Sequence, residues 1–169
     1  MSAAPRTGIG WDSHRLQAGR RLVLGGVDVP FDRGLAGHSD ADVLTHAVID
    51  ALLGAAGLGD IGQHFPDTDE AWRGADSMEL LRAVVERVAG AGLRVVHVDT
   101  TLVMERPKLG ARRDAIRGSL AAGLGVAEDQ VNVKATTGEG MGFVGRGEGV
   151  AALAVATLVP QGPQPLAGG

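Results

Sequence analysis

The chain contains no cysteine, which removes disulfide frameworks and every thiolate zinc site, so any bound metal must be held by histidine and carboxylate. Aromatic residues make up only 3% of it, with no tyrosine, and its core must therefore be built of Val, Leu, Ile and Ala. No apolar run approaches the roughly 18 residues of a membrane-spanning helix, and the few residues before the first expected strand leave no room for a leader peptide. The expectation is a cytoplasmic protein with no membrane partner. The formal net charge of -4 argues against a general nucleic-acid binder, which would show a basic face. Lysine is nearly absent: of 16 basic residues only Lys108 and Lys134 are lysine. A compact ammonium suits a phosphate oxygen, which makes both candidates for phosphate contact, although a biased composition accounts for them equally well. What is present, 169 residues at 44% apolar content, suffices for one domain with a buried core. That domain is expected over 1–159, followed by a Pro/Gly-rich flexible tail at 160–169.

Periodicity gives alternating strands and helices. A strand is expected near 7–12 and a hairpin over 22–29, where Gly25-Gly26 tolerates the positive φ of a tight turn. A helix over about 40–56 carries an apolar stripe of Val43, Leu44, Ala47, Val48, Ala51 and Leu52. A second helix opens at Gly74-Ala75-Asp76-Ser77, buries Leu80, Leu81, Val84, Val85 and Val88, and ends at Gly90 and Gly92. A strand over 96–104 is closed by Pro107, a third helix spans about 109–123, and a further strand covers 131–137. The apolar run 150–159 is expected to be a strand buried on both faces. The hairpin and the short gap before the last strand require antiparallel neighbours. The fold class is therefore α+β: a single-domain two-layer α/β sandwich, with a mixed sheet and helices on one face. The other face needs cover, and the expected cover is another copy of the chain, packed sheet to sheet.

Asp12, His14 and His46 carry the strongest chemical signal. Two imidazoles and one carboxylate are the donor set of a zinc ion that keeps a fourth position open for substrate. Asp12 and His14 stand two apart, on the same side of an extended segment. His46 lies off its helix's apolar stripe, at four-residue spacing from Asp42 and Asp50, either of which is a candidate to orient its ring. Two blander explanations stay open, a surface turn for Asp12-Ser13-His14 and a solvated polar face for His46. The loop from Asp60 to Asp69, holding His64 and three carboxylates, is either functional or a set of capping turns. Within 138–149 a formal G-x-G-x-x-G falls at 140–145. It is not a dinucleotide fingerprint, because an apolar strand rather than a helix follows it. The stretch is either an amide-rich phosphate cradle or a mobile loop.

Taken together, several blocks resemble the 2-C-methyl-D-erythritol 2,4-cyclodiphosphate synthases. They are Asp12-Ser13-His14, Gly37-His38-Ser39-Asp40-Ala41-Asp42 with His46, Asp60-Ile61-Gly62, Phe65-Pro66-Asp67-Thr68-Asp69, Pro107-Lys108, Asn132-Val133-Lys134-Ala135-Thr136-Thr137, and Gly142 to Gly149. They recur in order and with similar spacing from about residue 7 to 159. The resemblance implies a lyase of the non-mevalonate isoprenoid pathway. Its reaction converts 4-diphosphocytidyl-2-C-methyl-D-erythritol 2-phosphate into the cyclic diphosphate with release of CMP. The resemblance also implies a zinc ion (Zn2+) on Asp12, His14 and His46, and a second divalent ion, Mg2+ or Mn2+, on Glu139. His38 and Thr137 correspond to transition-state stabilisers. Ser39, Asp60, Ile61, Gly62, Phe65, Pro66, Asp67, Thr68 and Asp69 correspond to residues around the erythritol phosphate. Met104, Glu105, Arg106, Pro107, Lys108, Leu109, Gly110, Ala135, Thr136 and Thr137 correspond to the cytidine pocket. Asp12, Ser13, His14, His38, Gly138, Glu139, Phe143 and Arg146 are further substrate contacts on the same grounds. The family resemblance also implies a homotrimer with active sites between subunits, Arg146 and Glu148 near its axis, and an isoprenoid diphosphate as a candidate axial ligand. Two departures stand out. Gly138 and Gly140 replace what are more often a polar and a longer side chain, and Met104-Glu105-Arg106 is a variable prelude to Pro107-Lys108.

These residue types suit that reaction. An attacking phosphate and a diphosphate repel each other, so charge neutralisation and in-line geometry are the main tasks, met by two divalent ions and a lysine without a covalent intermediate. Two other classes use the same residues: a zinc phosphohydrolase activating water at Asp12, His14 and His46, and a non-catalytic isoprenoid-binding oligomer built on the apolar last strand.

Overall fold

The structure is a computed structural model that describes residues 4–162. Strand β1 (Arg6–Ala18) pairs antiparallel with β7 (Gly149–Pro160), which pairs antiparallel with β5 (Leu93–Val103). β5 in turn runs parallel to β6 (Val131–Thr136), and β4 (Arg33–Leu35) is antiparallel to the end of β1. The result is a five-stranded mixed sheet in the order β4-β1-β7-β5-β6. The expected hairpin forms from β2 (Val23–Leu24) and β3 (Val27–Asp28), with Gly25 and Gly26 at φ 58° and 77°, values that glycine adopts without steric cost. The helices are α1 (Val43–Ala56), α2 (Ile61–His64), α3 (Ser77–Gly90), α4 (Arg112–Leu124) and α5 (Gly142–Gly145). The α+β class, the mixed sheet and the order of the main elements agree with the sequence reading.

Helix α1 begins at Asp42, whose carboxylate accepts the Thr45 N–H at 3.0 Å and also the N–H groups of Gly25 and Gly26 at 2.9 and 2.7 Å. One side chain thus caps the helix and ties the hairpin to its start. Gly57, in the left-handed region, ends it. The helix meets β1 backbone to backbone: a Cβ on Gly8 would fall 2.1 Å from the Ala51 carbonyl oxygen, and one on Gly10 would fall 1.8 Å from that of Ala47. α3 buries Met78, Leu80, Leu81, Val84 and Val88, and α4 buries Ile116, Leu120 and Leu124. Together with the inward residues of the sheet they form one continuous aliphatic core.

Three expectations need correction. The last strand is not buried on both faces throughout: Gly149 to Ala152 are buried, but beyond them burial alternates, because helices cover only one side of the sheet. On the open side Ile9 is 70%, Trp11 53% and Val155 39% exposed, with Ile9 directly opposite Val155 in the β1–β7 register. Helix α1 does not carry a narrow apolar stripe. Eleven of its fourteen residues are buried, since it is wedged between the sheet and the other helices. Finally, the expected tail begins late: Pro160 still belongs to β7, and the Gln161 N–H donates to Gly92 O at 2.8 Å. Residues 163–169 of that tail lie outside the described residues. No helix among the described residues is long and apolar enough to cross a membrane.

Candidate active site

Alternation along β1 directs Gly8, Gly10, Asp12 and His14 toward the helices, and Ile9, Trp11, Ser13 and Arg15 away from them. The two glycines admit α1 to the strand, and α1 delivers His46 to the pair. Asp12 Oδ2 lies 2.9 Å from His14 Nε2 and 3.1 Å from His46 Nδ1, and the two ring nitrogens are 3.4 Å apart. Ligand atoms on a tetrahedral zinc ion stand about 3.3 Å apart. His14 Nδ1 lies 2.8 Å from the Ala36 carbonyl oxygen. That oxygen only accepts, so Nδ1 carries the proton and Nε2 turns its lone pair to the cluster. A lone pair and a carboxylate oxygen this close require a positive centre between them, and the donor set fits zinc. The other two explanations for these residues lose ground: the His46 side chain is only 12% exposed, and Asp12-Ser13-His14 is strand rather than turn.

Charge in the cluster tells the same story. Burial pushes the Asp12 carboxyl up, but the His14 and His46 rings, which donate to it and carry charge only when protonated, outweigh burial and bring the metal-free carboxyl to about 2. Burial pushes the His14 ring down, but the hydrogen bond and charge of Asp12, with the Ala36 carbonyl, leave it raised above its ordinary value. Without a metal, a proton is drawn to where the cation belongs.

The trio opens on a cleft of about 370 Å³. His38 and Ser39 line it, as do Ile61, Gly62, Phe65, Pro66, Asp67 and Thr68, all expected from the sequence. His38 Nε2 is buried and has no hydrogen-bond partner, a state that costs on the order of 1–3 kcal/mol unless a ligand supplies one. Gly37, Trp72 and Leu80 also line the cleft; Gly37 heads the His38 block and Leu80 lies on the expected helix face, but neither they nor Trp72 was expected at the site. Trp72 packs edge-on to Phe65 with ring centroids 5.0 Å apart, and Arg87 sits 4.9 Å from the Phe65 ring.

Several expected roles move. Asp60 and Asp69 do not line the cleft. Both cap: Asp60 accepts the Gln63 N–H at 3.0 Å and Asp69 the Ala71 N–H at 2.9 Å. Neither Asp42 nor Asp50 orients His46. Asp42 is spent on the α1 cap, and Asp50 accepts the Ile61 N–H at 2.8 Å, fixing the start of α2. The His46 ring leans on Ser77 Oγ at 2.8 Å and Ser39 Oγ at 3.3 Å. Lys134 is committed to Asp99 at 2.5 Å on an exposed part of the sheet.

The remaining expected residues form a second group at the ends of the parallel strands β5 and β6. The Met104 N–H donates to Thr136 O at 2.9 Å, and the Glu139 N–H to Thr137 Oγ1 at 3.1 Å. The two sequence departures meet here: the Gly138 N–H donates to the Glu105 carboxylate at 2.6 Å. A Cβ on Gly138 would stand 2.9 Å from both Gly145 N and Met141 O, so the turn excludes a side chain. Glu139 and Gly140 both take positive φ, 54° and 72°. None of 104–110, 135–139, Phe143 or Arg146 lines the cleft, and among the described residues Glu139 does not join the metal-binding group. Arg146 Nε pairs with Glu148 at 2.9 Å. The G-x-G-x-x-G stretch ends in the single turn α5 and passes into β7, so no dinucleotide motif exists.

The YgbB family matches residues 5–159. The 2-C-methyl-D-erythritol 2,4-cyclodiphosphate synthase of Salinibacter ruber is 63% identical over 153 residues, covering 90% of this chain and 98% of that protein. The bifunctional enzyme IspD/IspF of an Anaeromyxobacter species is 60% identical over 159 residues, 94% of this chain, but the chain spans only 41% of that relative's length. A solved 2C-methyl-D-erythritol-2,4-cyclodiphosphate synthase in a CDP-bound form has a TM-score of 0.84 at 42% identity, over 90% of this chain and 99% of that one. Strand register, metal-ligand geometry and likeness over nearly the whole described length converge, and the chain belongs to the YgbB family of 2-C-methyl-D-erythritol 2,4-cyclodiphosphate synthases.

Proposed function

We propose that this chain is a cytoplasmic, metal-dependent phosphorus-oxygen lyase. It cyclises 4-diphosphocytidyl-2-C-methyl-D-erythritol 2-phosphate to 2-C-methyl-D-erythritol 2,4-cyclodiphosphate with release of CMP, a step of non-mevalonate isoprenoid biosynthesis. One observation carries the reading: Asp12, His14 and His46 converge at the mouth of a cleft that also holds the unpartnered His38 nitrogen. The CDP-bound relative supports a cytidine diphosphate as the small-molecule substrate.

In the reaction an oxygen of the 2-phosphate attacks the β-phosphorus, and the bond from that phosphorus to the oxygen of CMP breaks. Asp12, His14 and His46 would hold a zinc ion, which when bound would supply Lewis-acid polarisation of a phosphate oxygen. His38 Nε2 donates to a phosphate oxygen as charge builds there. Ser39 and the loop 61–68 hold the erythritol phosphate. Thr137 and Lys108 lie toward the nucleotide, with Glu139 as ligand of a second ion, Mg2+ or Mn2+. None of 104–110 or 135–139 lines the cleft within one chain, and in this reading the adjacent subunit of a homotrimer supplies them. The exposed Ile9, Trp11 and Val155 supply the apolar face for that assembly. Arg146 and Glu148 lie near its axis, where an isoprenoid diphosphate is the candidate ligand. Residues 1–159 act as one synthase unit.

The test is CMP release from the cytidine substrate with and without a chelator, run in oxygen-labelled water. The expected result is metal-dependent CMP release and a cyclic product free of label. Labelled open-chain phosphate identifies a hydrolase instead.

A further inference from the structure

On the side of His46 away from Asp12 stand two residues that the reaction above leaves without a role. Ser77, the first residue of α3, is fully buried, and its Oγ lies 2.8 Å from His46 Nε2. A serine hydroxyl has one proton to give. Here it goes to Asp40 Oδ1, while the Ser77 N–H donates to the other oxygen of the same carboxylate at 3.0 Å. Asp40 is fixed in its turn: its Oδ1 accepts the Asp42 N–H at 3.1 Å, and its own N–H reaches Ala75 O at 3.2 Å. An ionised carboxylate only accepts, so the serine proton cannot point the other way.

Toward His46 the Ser77 oxygen therefore presents lone pairs alone. Ser39 Oγ, the other oxygen near the ring, is farther away at 3.3 Å. The nearer contact sets the tautomer, and it calls for the His46 proton on Nε2. That leaves Nδ1 as the lone-pair nitrogen, and Nδ1 is the atom 3.1 Å from Asp12 Oδ2 and 3.4 Å from His14 Nε2. In the opposite tautomer an N–H would project into the cluster and repel a cation.

We propose that Asp40 and Ser77 are positioning residues that hold His46 in the Nε2–H tautomer and so keep its Nδ1 open to the metal. The inference rests on reading Asp12, His14 and His46 as a zinc site. It explains why a ligand carried by α1 is braced by the first residue of α3. Partners that orient a metal-bound imidazole change affinity by about 10–100-fold when lost.

Two measurements test it. In the metal-free protein, above the imidazole titration range, nitrogen-15 shifts of the His46 ring should show a pyrrole-like Nε2 and a pyridine-like Nδ1. A pyrrole-like Nδ1 in the unaltered protein overturns the proposal and needs no variant. By chelator competition, Ser77→Ala and Asp40→Ala should each weaken zinc binding roughly 10–100-fold and raise the Nδ1–H population. Unchanged affinity and tautomer overturn it. Where Ser77→Ala fails to fold, the isosteric pair Ser77→Thr and Ser77→Val separates the hydroxyl from packing, since only Thr should retain zinc, and equal affinities count against the idea. Should His46→Ala lose zinc while Ser77→Ala keeps it, this inference fails and the proposed function stands. A wild-type protein that binds no zinc sinks the function itself.

Discussion

His14 sits between an acid and a carbonyl, and those two neighbours decide what the ring does as pH changes. Zinc needs the neutral imidazole. The His14 pKa is raised, burial opposing and the Asp12 hydrogen bond and charge prevailing, so protons compete with the metal below that raised value and cease to compete above it. Zinc affinity should therefore fall about tenfold per pH unit on the acid side of the raised His14 pKa and level off on the alkaline side. Asp12, at about 2, adds nothing to that window. Chelator competition across neutral and mildly acidic pH reads the slope, and a flat profile contradicts the role given to His14. His38 makes a separate claim. His38→Ala should lower turnover by roughly 10²–10³-fold, the usual loss for one donor aimed at developing charge, with zinc content unchanged; parallel loss of zinc would show that His38 only supports the fold. The metal trio was legible in the sequence because residues two apart on a strand share a face whatever surrounds them. The brace behind His46 was not. Asp42 and Asp50 have the right helical spacing, yet their carboxylates answer backbone N–H groups of Gly25, Gly26 and Ile61. Ser77 reaches the ring from 31 residues away, a distance no local pattern encodes.

Helix α1 is the element on which the site turns, because its height above β1 is set by two absent side chains. Gly10→Ala would place a methyl 1.8 Å from the Ala47 carbonyl oxygen, and the helix must lift away. The expected cost is about 1–3 kcal/mol of stability in urea unfolding, together with weakened zinc binding although no ligand has been altered. Normal zinc affinity in a folded Gly10→Ala protein would mean that α1 does not position His46. Asp42→Ala removes the cap, worth about 1 kcal/mol, and strands the Gly25 N–H at a cost of roughly 1–3 kcal/mol. A loss below the cap value alone would show that the hairpin is not anchored there. Element identities were readable from periodicity because apolar spacing survives any packing. Burial on the second face was not readable: β7 and a strand buried on both sides carry the same apolar run, and only the missing cover over Val155 tells them apart.

At the scale of the molecule, the exposed Ile9, Trp11 and Val155 and the absence of 104–110 and 135–139 from the cleft lining fit the proposed assembly. Trp11→Arg should convert the proposed trimer to monomer in sedimentation and abolish CMP release, while zinc affinity stays normal because Trp11 points away from the proposed metal site. A Trp11→Arg protein that remains trimeric and active removes this face from the interface. Trp11 and Asp12 are nonetheless adjacent on one strand, and they serve opposite sides of the sheet. Slipping β1 by a single position against β7 would exchange the two sides, sending Asp12 and His14 toward the open face and the indole into the helix that needs glycine. Substitutions on either side can accumulate independently, whereas an inserted or deleted residue within Arg6–Ala18 would disable cation uptake and assembly in one stroke.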